Sequence, residues 1–170
     1  MNSKLCKQAG FTLAELLIVV GIIGVLAAVS IPIVGPRLEG SRESADVTNL
    51  RSAYAAAISA VLVGKADDIT LSDDDNGEHV LVYTRDGTLK HYSTAAYESA
   101  IRGKSTQNDW QGTDMSDELP SAIVFSGNSG KKGICVKVNM LSNRVQVRFT
   151  DQPDKDFDDL SDPSDPSDED

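Results

Sequence analysis

The sequence predicts an α+β protein in which a long N-terminal helix, apolar in its first half, packs on an antiparallel sheet. Three observations carry this expectation. Residues 11–34 are almost all apolar or small. Apolar residues then recur at Val47, Leu50, Tyr54, Ile58, Val61 and Leu62, the three-and-four spacing of an amphipathic helix. Towards the C-terminus the spacing changes to alternation. Ile134, Val136 and Val138 are set against Cys135, Lys137 and Asn139, and Val145, Val147 and Phe149 against Arg144, Gln146 and Arg148.

The apolar segment comes first. Phe11 to Ile33 is 23 residues, about 34 Å as a helix, enough to cross a hydrocarbon core of about 30 Å. Its many valines and isoleucines are mediocre helix formers in water, but in lipid an unpaired backbone group costs several kcal/mol, so the helix is dictated. Lys4 and Lys7 precede the span with no acid nearby, which places the N-terminus in the cytoplasm and the bulk of the chain outside. One span is expected.

Three features exceed a plain anchor. Glu15 puts a carboxylate inside the apolar run, and an ionisable residue in a span is functional by default. Gly10 stands directly before Phe11, behind the short basic stretch MNSKLCKQAG. Near the far end come Gly21 and Gly24, then Ser30-Ile31-Pro32 and Gly35-Pro36. Pro32 has no amide hydrogen and clashes with the carbonyl four residues back, so a bend or local melting is expected between Gly24 and Pro32. Gly24 and Ala28 form a small-xxx-small pair that lets neighbouring helices approach closely.

Together, G-F-T-L-A-E-L at residues 10–16, followed by the uninterrupted apolar stretch, resembles the processing motif of type IV prepilins and of type II secretion pseudopilins. The close resemblance covers residues 10 to about 36 and implies a structural subunit. A membrane-embedded prepilin peptidase would cut after Gly10 and N-methylate Phe11, with Glu15 as the family's assembly glutamate and Gly24 and Pro32 at the helix break. The partners implied are that peptidase, other copies of the chain, minor pilins, and an assembly ATPase with its platform. The precursor would sit in the cytoplasmic membrane, and the mature chain in an extracellular or periplasmic filament. Pilus subunit is the leading expectation and pseudopilin the alternative. A single-span membrane protein whose head is a binding module, keeping residues 1–10, is the reading from another class.

The chemistry of the motif agrees. Cleavage would create an α-ammonium on Phe11 at the margin of an apolar helix, with Glu15 one turn on. The carboxylate could neutralise the ammonium of its own chain or of a neighbour, and the resemblance implies the neighbour. An ordinary secretory signal, with a cut after Ala28-Val29-Ser30, would need a shorter apolar region without Glu15. The resulting organisation is a leader at 1–10, a membrane and filament-core helix at 11–34, its amphipathic continuation at 35–64, a β head at 65–150 and an acidic tail at 151–170.

In the amphipathic half, Glu39, Arg42, Glu43, Asp46 and Arg51 read as a solvated face, and Gly64 ends the helix. An acidic loop follows at Asp67–Gly77. Strands are expected at His79–Thr84 and Leu89–Ser93 about an Asp86-Gly87 turn, then at Ser121–Ser126, Gly133–Met140 and Arg144–Thr150. Thr94–Arg102 reads as a short helix capped by Thr94, and Lys104–Pro120 as a loop anchored by Trp110. The tail carries ten acids against one base, Lys155, and is expected to be disordered or loosely attached.

Net charge is −10. Loss of residues 1–10 removes two bases and no acid, giving −12, so general nucleic-acid binding is not expected. The two cysteines are Cys6 and Cys135; cleavage leaves Cys135 alone, expected as a small buried hydrophobe. No enzyme is expected, because His79 and His91 lack metal-ligand spacing and neither a nucleophile elbow nor a phosphate loop is present. No cofactor is required. Calcium is the one cation the acidic runs suggest, with Asp73, Asp74 and Asp75, or Asp154, Asp156 and Asp158, as ligands. Both runs depart from the loop pattern: counting back from Gly77 puts Ser72 first and Tyr83 twelfth, and Asp159 stands where glycine belongs.

Overall fold

The computed structural model describes residues 10–67, 69–72, 77–107, 111–112, 115, 118–125 and 129–157. The chain forms two compact units, one up to Pro36 and one from Arg37. The elements in order are α1 (Leu13–Val63), β1 (Lys65–Ala66), β2 (Ile69–Thr70), β3 (Glu78–Tyr83), β4 (Leu89–His91), α2 (Thr94–Glu98), β5 (Ile123–Val124), β6 (Gly133–Asn139), β7 (Arg144–Thr150) and α3 (Pro153–Asp156).

Helix α1 spans 51 residues and runs through Gly24, Pro32 and Pro36 without interruption, so the expected melting between Gly24 and Pro32 is absent. Each proline deletes only its own amide bond, to the carbonyls of Ala28 and Pro32, and the turns on either side keep theirs. The Ser30 hydroxyl meanwhile donates to the Leu26 carbonyl at 2.7 Å. Gly64, at φ +70°, ends the helix as expected.

In the unit from Arg37, the helix lays Leu50, Ala53, Ala57 and Ala60 on the inner sheet face formed by Leu81, Tyr83, Ile134, Val136, Val138, Val145, Val147 and Phe149. The buried stripe is turned by about one residue from the expected one. Tyr54, Ile58 and Val61 flank it, and Leu62 is 82% exposed. Alanines occupy the contact because small side chains let the helix approach the sheet closely, while larger neighbours fill the margins. Each fully buried leucine, isoleucine or valine here contributes about 1.5–3 kcal/mol.

The five-stranded sheet has the order β4-β3-β6-β7-β5. The first four strands are antiparallel neighbours, but β5 lies parallel to β7, pairing Ile123 with Val147 and Val124 with Arg148. The expected strand at Ser121–Ser126 thus shrinks to two described residues in the opposite sense, and Ser126 lies outside the described residues. A strand reached by a long connection is not bound by hairpin geometry. The β3–β4 turn does follow the Asp86-Gly87 signal, with Gly87 at φ +81° and the Thr84 amide donating to the Thr88 carbonyl at 3.0 Å. In the first part of the expected acidic loop, β2 returns along β1, which precedes the loop, and pairs Thr70 with Lys65.

Helix α2 is capped by Ser93 rather than Thr94, its hydroxyl accepting the Ala96 amide at 3.1 Å, and it stops at Glu98. On the outer sheet face Val82, Ala100 and Cys135 form a second, smaller core with Tyr92, Ala96, Tyr97 and Phe157. Strand β6 is therefore covered on both faces at Cys135, which is buried as expected. Phe157 also corrects the reading of the tail as loosely attached throughout: residues 153–156 form a helical turn and Phe157 packs on the outer core. Asp158–Asp170 lie outside the described residues, as do Asp73, Asp74, Asp75 and Trp110.

The largest departure concerns the acids at 39, 43 and 46. They are not a solvated face: Glu39 is 5% exposed and Glu43 and Asp46 are fully buried. At spacings of four and three they stand in one row along the helix, and each accepts backbone amides from the segment 104–112. Glu39 takes the amides of Thr106 and Gln107, Glu43 those of Gln111 and Gly112, and Asp46 those of Lys104 and Ser105. The carboxylates thus supply acceptors to backbone donors that lie outside the named strands. Gly40 and Gly112 allow the approach, since a Cβ on Gly40 would sit 2.8 Å from the Gly112 Cα.

Candidate processing and assembly site

The motif that sequence analysis singled out lies at the start of α1. Gly10, Phe11 and Thr12 precede the first helical residue, Leu13, and Gly10 and Phe11 are exposed, Phe11 at 90%. The bond between Gly10 and Phe11 is therefore non-helical and accessible, the state in which a peptide bond can enter a protease.

The reason the helix starts where it does is chemical. Thr12 is its N-cap and Glu15 its third residue, and they bond reciprocally. The Thr12 amide and hydroxyl donate to Glu15 Oε2 at 2.8 and 2.7 Å, and the Glu15 amide donates to Thr12 Oγ1 at 3.3 Å. This is a capping box, which satisfies two donors that the first helical turn leaves without intrahelical partners. Sequence analysis missed the role of Thr12 and this role of Glu15, although the spacing T-x-x-E at residues 12–15 is its signal. Both described bonds to the carboxylate use Oε2, so Oε1 remains available for a cation.

Beyond the cap, every large apolar side chain from Leu13 to Val34 is half or more exposed in the isolated chain. Among the described residues, α1 is the one helix long and apolar enough to cross a membrane. A contiguous apolar surface of this size marks a lipid or protein contact. Gly24 faces open space, with nothing within 4 Å of a Cβ placed on it, so another helix could come close there. Pro32 lies in regular helix and produces no gap.

Asp73, Asp74, Asp75 and Asp158 lie outside the described residues, and Asp154 and Asp156 are placed only by the backbone of α3. Among the described residues no group of three His, Cys, Asp or Glu side chains could hold a metal ion. His79 bonds to the Ser72 backbone through Nε2. Cys135 is a buried thiol in no disulfide.

Comparison with known proteins agrees with this geometry. Residues 5–31 match the family model of the prokaryotic N-terminal methylation motif. A fimbrial protein of Pseudomonas aeruginosa is 30% identical over 141 residues, covering 81% of this chain and 82% of its own. The type II secretion system core protein G of Vibrio cholerae is 29% identical over 131 residues, covering 76% and 87%. The protein of that name from Escherichia coli K12 is 29% identical over 129 residues, covering 75% and 86%. No solved structure matches the chain. A helix that is bare, apolar and capped at its start, joined to an α+β head and alike over most of its length to fimbrial and secretion-system subunits, has one reading: the chain belongs to the type IV pilin and pseudopilin family and is a structural filament subunit anchored in the membrane as a precursor.

Proposed function

We propose that this subunit is cut after Gly10 by a prepilin peptidase, N-methylated on Phe11, and assembled into a pilus through the helix surface of residues 11–34. The observation that carries the reading is the capped start of α1. It holds the bond after Gly10 outside the helix, and it sets the only acid of the apolar segment one turn from the terminus that cleavage would create. Lys4 and Lys7 support a cytoplasmic N-terminus and an external head. An assembly ATPase with its platform would draw subunits out of the membrane, with minor pilins as companions.

In the filament Glu15 would exchange water for the ammonium of Phe11. Truncating one partner of a buried ion pair costs about 3–5 kcal/mol, whereas the cap bond of Glu15 is exposed and its acceptor is readily replaced by water. Two substitutions separate these effects, because glutamine retains a capping oxygen without the charge. Mass spectrometry of wild-type filaments should find methylated Phe11 as the first residue, and a chain starting at Met1 or Ile31 would end the proposal. Glu15→Leu and Glu15→Gln should both be processed and both leave monomers in the membrane. Filaments from a processed Glu15→Gln chain would show that the cap, not the charge, matters.

One observation favours a Gram-positive-type pilin or a pseudopilin. Cys135 is buried in the outer core and no second cysteine follows Phe11, so no disulfide can close a C-terminal loop as in many pilins. Deleting the gene decides between the roles: loss of surface filaments marks a pilus, and loss of an exported protein with filaments intact marks a pseudopilus.

A further inference from the structure

The outer face of the sheet has a charge opposite to that of the whole chain. Strand register places Lys90, Val82, Cys135 and Arg148 in one cross-strand row, and Lys137 with Gln146, and Asn139 with Arg144, in the rows beside it. Among the described residues, strand register alone sets four bases and one acid, Glu78, on this face, a net of +3 for the strands on a chain of −10. Glu78 is itself paired with Lys137 at 3.0 Å. Burial on the same face is deep even for polar side chains. Asn139 and Thr150 are fully buried and Gln146 is 7% exposed. Local bonds satisfy two of these side chains, Asn139 Oδ1 accepting the Leu141 and Ser142 amides and Thr150 Oγ1 the Gln152 amide, all at 2.9 Å.

The chain leaves β7 toward this face. The Thr150 carbonyl accepts the Tyr97 hydroxyl at 2.7 Å, α3 makes one turn at Pro153–Asp156, and Phe157 packs on the outer core around Val82 and Cys135. Thirteen residues follow, 158–170, with seven acids and no base. Extended, they reach about 45 Å, and a five-stranded sheet is only about 20 Å wide.

We propose that the outer face of the β3-β6-β7 sheet is the docking surface for the chain's own acidic segment 158–170, started on its path by Phe157 and held by Lys90, Arg144 and Arg148. Charge complementarity, reach and the anchored starting point all select this occupant. The docked segment would keep the basic face from collecting polyanions outside the cell.

Carbodiimide cross-linking of the full-length protein in detergent tests the proposal without requiring filaments. Arginine does not react, so Arg144→Lys and Arg148→Lys variants place reactive amines on the face at unchanged charge. An equal mixture of unlabelled and ¹⁵N-labelled protein distinguishes links within a chain from links between chains. We expect links within one chain from positions 90, 144 and 148 to acids of 158–170, falling several-fold at 1 M salt, where the Debye length is about 3 Å. Links only between chains would make a second copy the occupant and overturn the proposal. It is equally overturned if segment 158–170 links to Lys65 or Lys131 as often as to the face, or forms no link to it.

Discussion

Replacing Asp46 by alanine should cost the head a large part of its stability. Asp46 is fully buried and accepts the Lys104 amide at 2.9 and 3.0 Å, the Ser105 amide and hydroxyl each at 2.8 Å, and the Ser129 hydroxyl at 2.9 Å. Without the carboxylate the two hydroxyls still have each other, since Ser105 Oγ donates to Ser129 Oγ at 3.0 Å. The buried Ser105 amide has no such recourse, whereas Lys104 is exposed and its amide can turn to water. A stranded buried donor costs about 1–3 kcal/mol, and bonds to a charged acceptor contribute about 1.5–3 kcal/mol each. The expected loss is about 3–5 kcal/mol from a domain whose total is about 5–15 kcal/mol. Asp46→Asn keeps one acceptor oxygen and should lose about half as much. Urea unfolding of the detergent-solubilised chain can be followed by pulsed labelling of Cys135, which is fully buried and reacts only when the head opens. An Asp46→Ala midpoint equivalent to less than about 0.5 kcal/mol of change, the scale of a neutral surface substitution, would refute the claim that this carboxylate holds the 104–112 segment.

Three further outcomes follow from the same geometry. Gly40→Ala brings a Cβ to 2.8 Å from the Gly112 Cα; overpacking of about 1–3 kcal/mol should exceed the helix-propensity gain of about 1 kcal/mol, and a stabilised variant in thermal unfolding would contradict the close approach. At Glu39 burial raises the carboxyl pKa, but the Thr106 amide, the Arg42 guanidinium at 3.0 Å, the Gln107 amide and the Thr106 hydroxyl outweigh it and hold the group below its ordinary value. A depressed folded pKa stabilises above the unfolded value, about 4.3, and that contribution is lost as pH falls through the folded value. Urea midpoints between pH 5 and 3 should therefore fall less steeply for Glu39→Gln than for wild type, and parallel curves would exclude the linkage. Cys135 should label with a small thiol reagent only after denaturation, and a disulfide-linked dimer on a non-reducing gel would contradict its burial.

What the sequence disclosed divides along a physical line. The apolar span, the amphipathic continuation, the Asp86-Gly87 turn and the two long strands were legible because period and turn chemistry are local properties. The helix face was misjudged at Ala53, Ala57 and Ala60 because alanine adds little to an apolar pattern although it decides how closely a helix can lie. Burial of Glu39, Glu43 and Asp46 was not legible, since their partners are backbone amides about sixty residues away, and an amide leaves no mark in a sequence. The parallel placement of β5 likewise depends on where a long connection re-enters the sheet. At the processing motif the cleavage residues were readable, while the T-x-x-E cap at Thr12 and Glu15 was present in the sequence and overlooked.

Glu15 and the row at 39–46 use one kind of group for two kinds of bond, and the difference bears on assembly. Both supply carboxylate oxygens to amides that regular structure leaves unmet, a task suited to a group with two oxygens and about four lone-pair sites. The row is buried and has several partners per residue, so exchanging them would strand donors in the interior, and the contact is permanent. The Glu15 cap is exposed and local, and both its described bonds use a single oxygen. Under the proposed assembly, an ammonium arriving at Oε1 need not break the cap. Even if it did, matching two charges that would otherwise be stranded away from water, at about 3–5 kcal/mol, exceeds what the cap contributes. The monomer can therefore hold its helix start in order while it waits in the membrane, and still be drawn toward the next subunit.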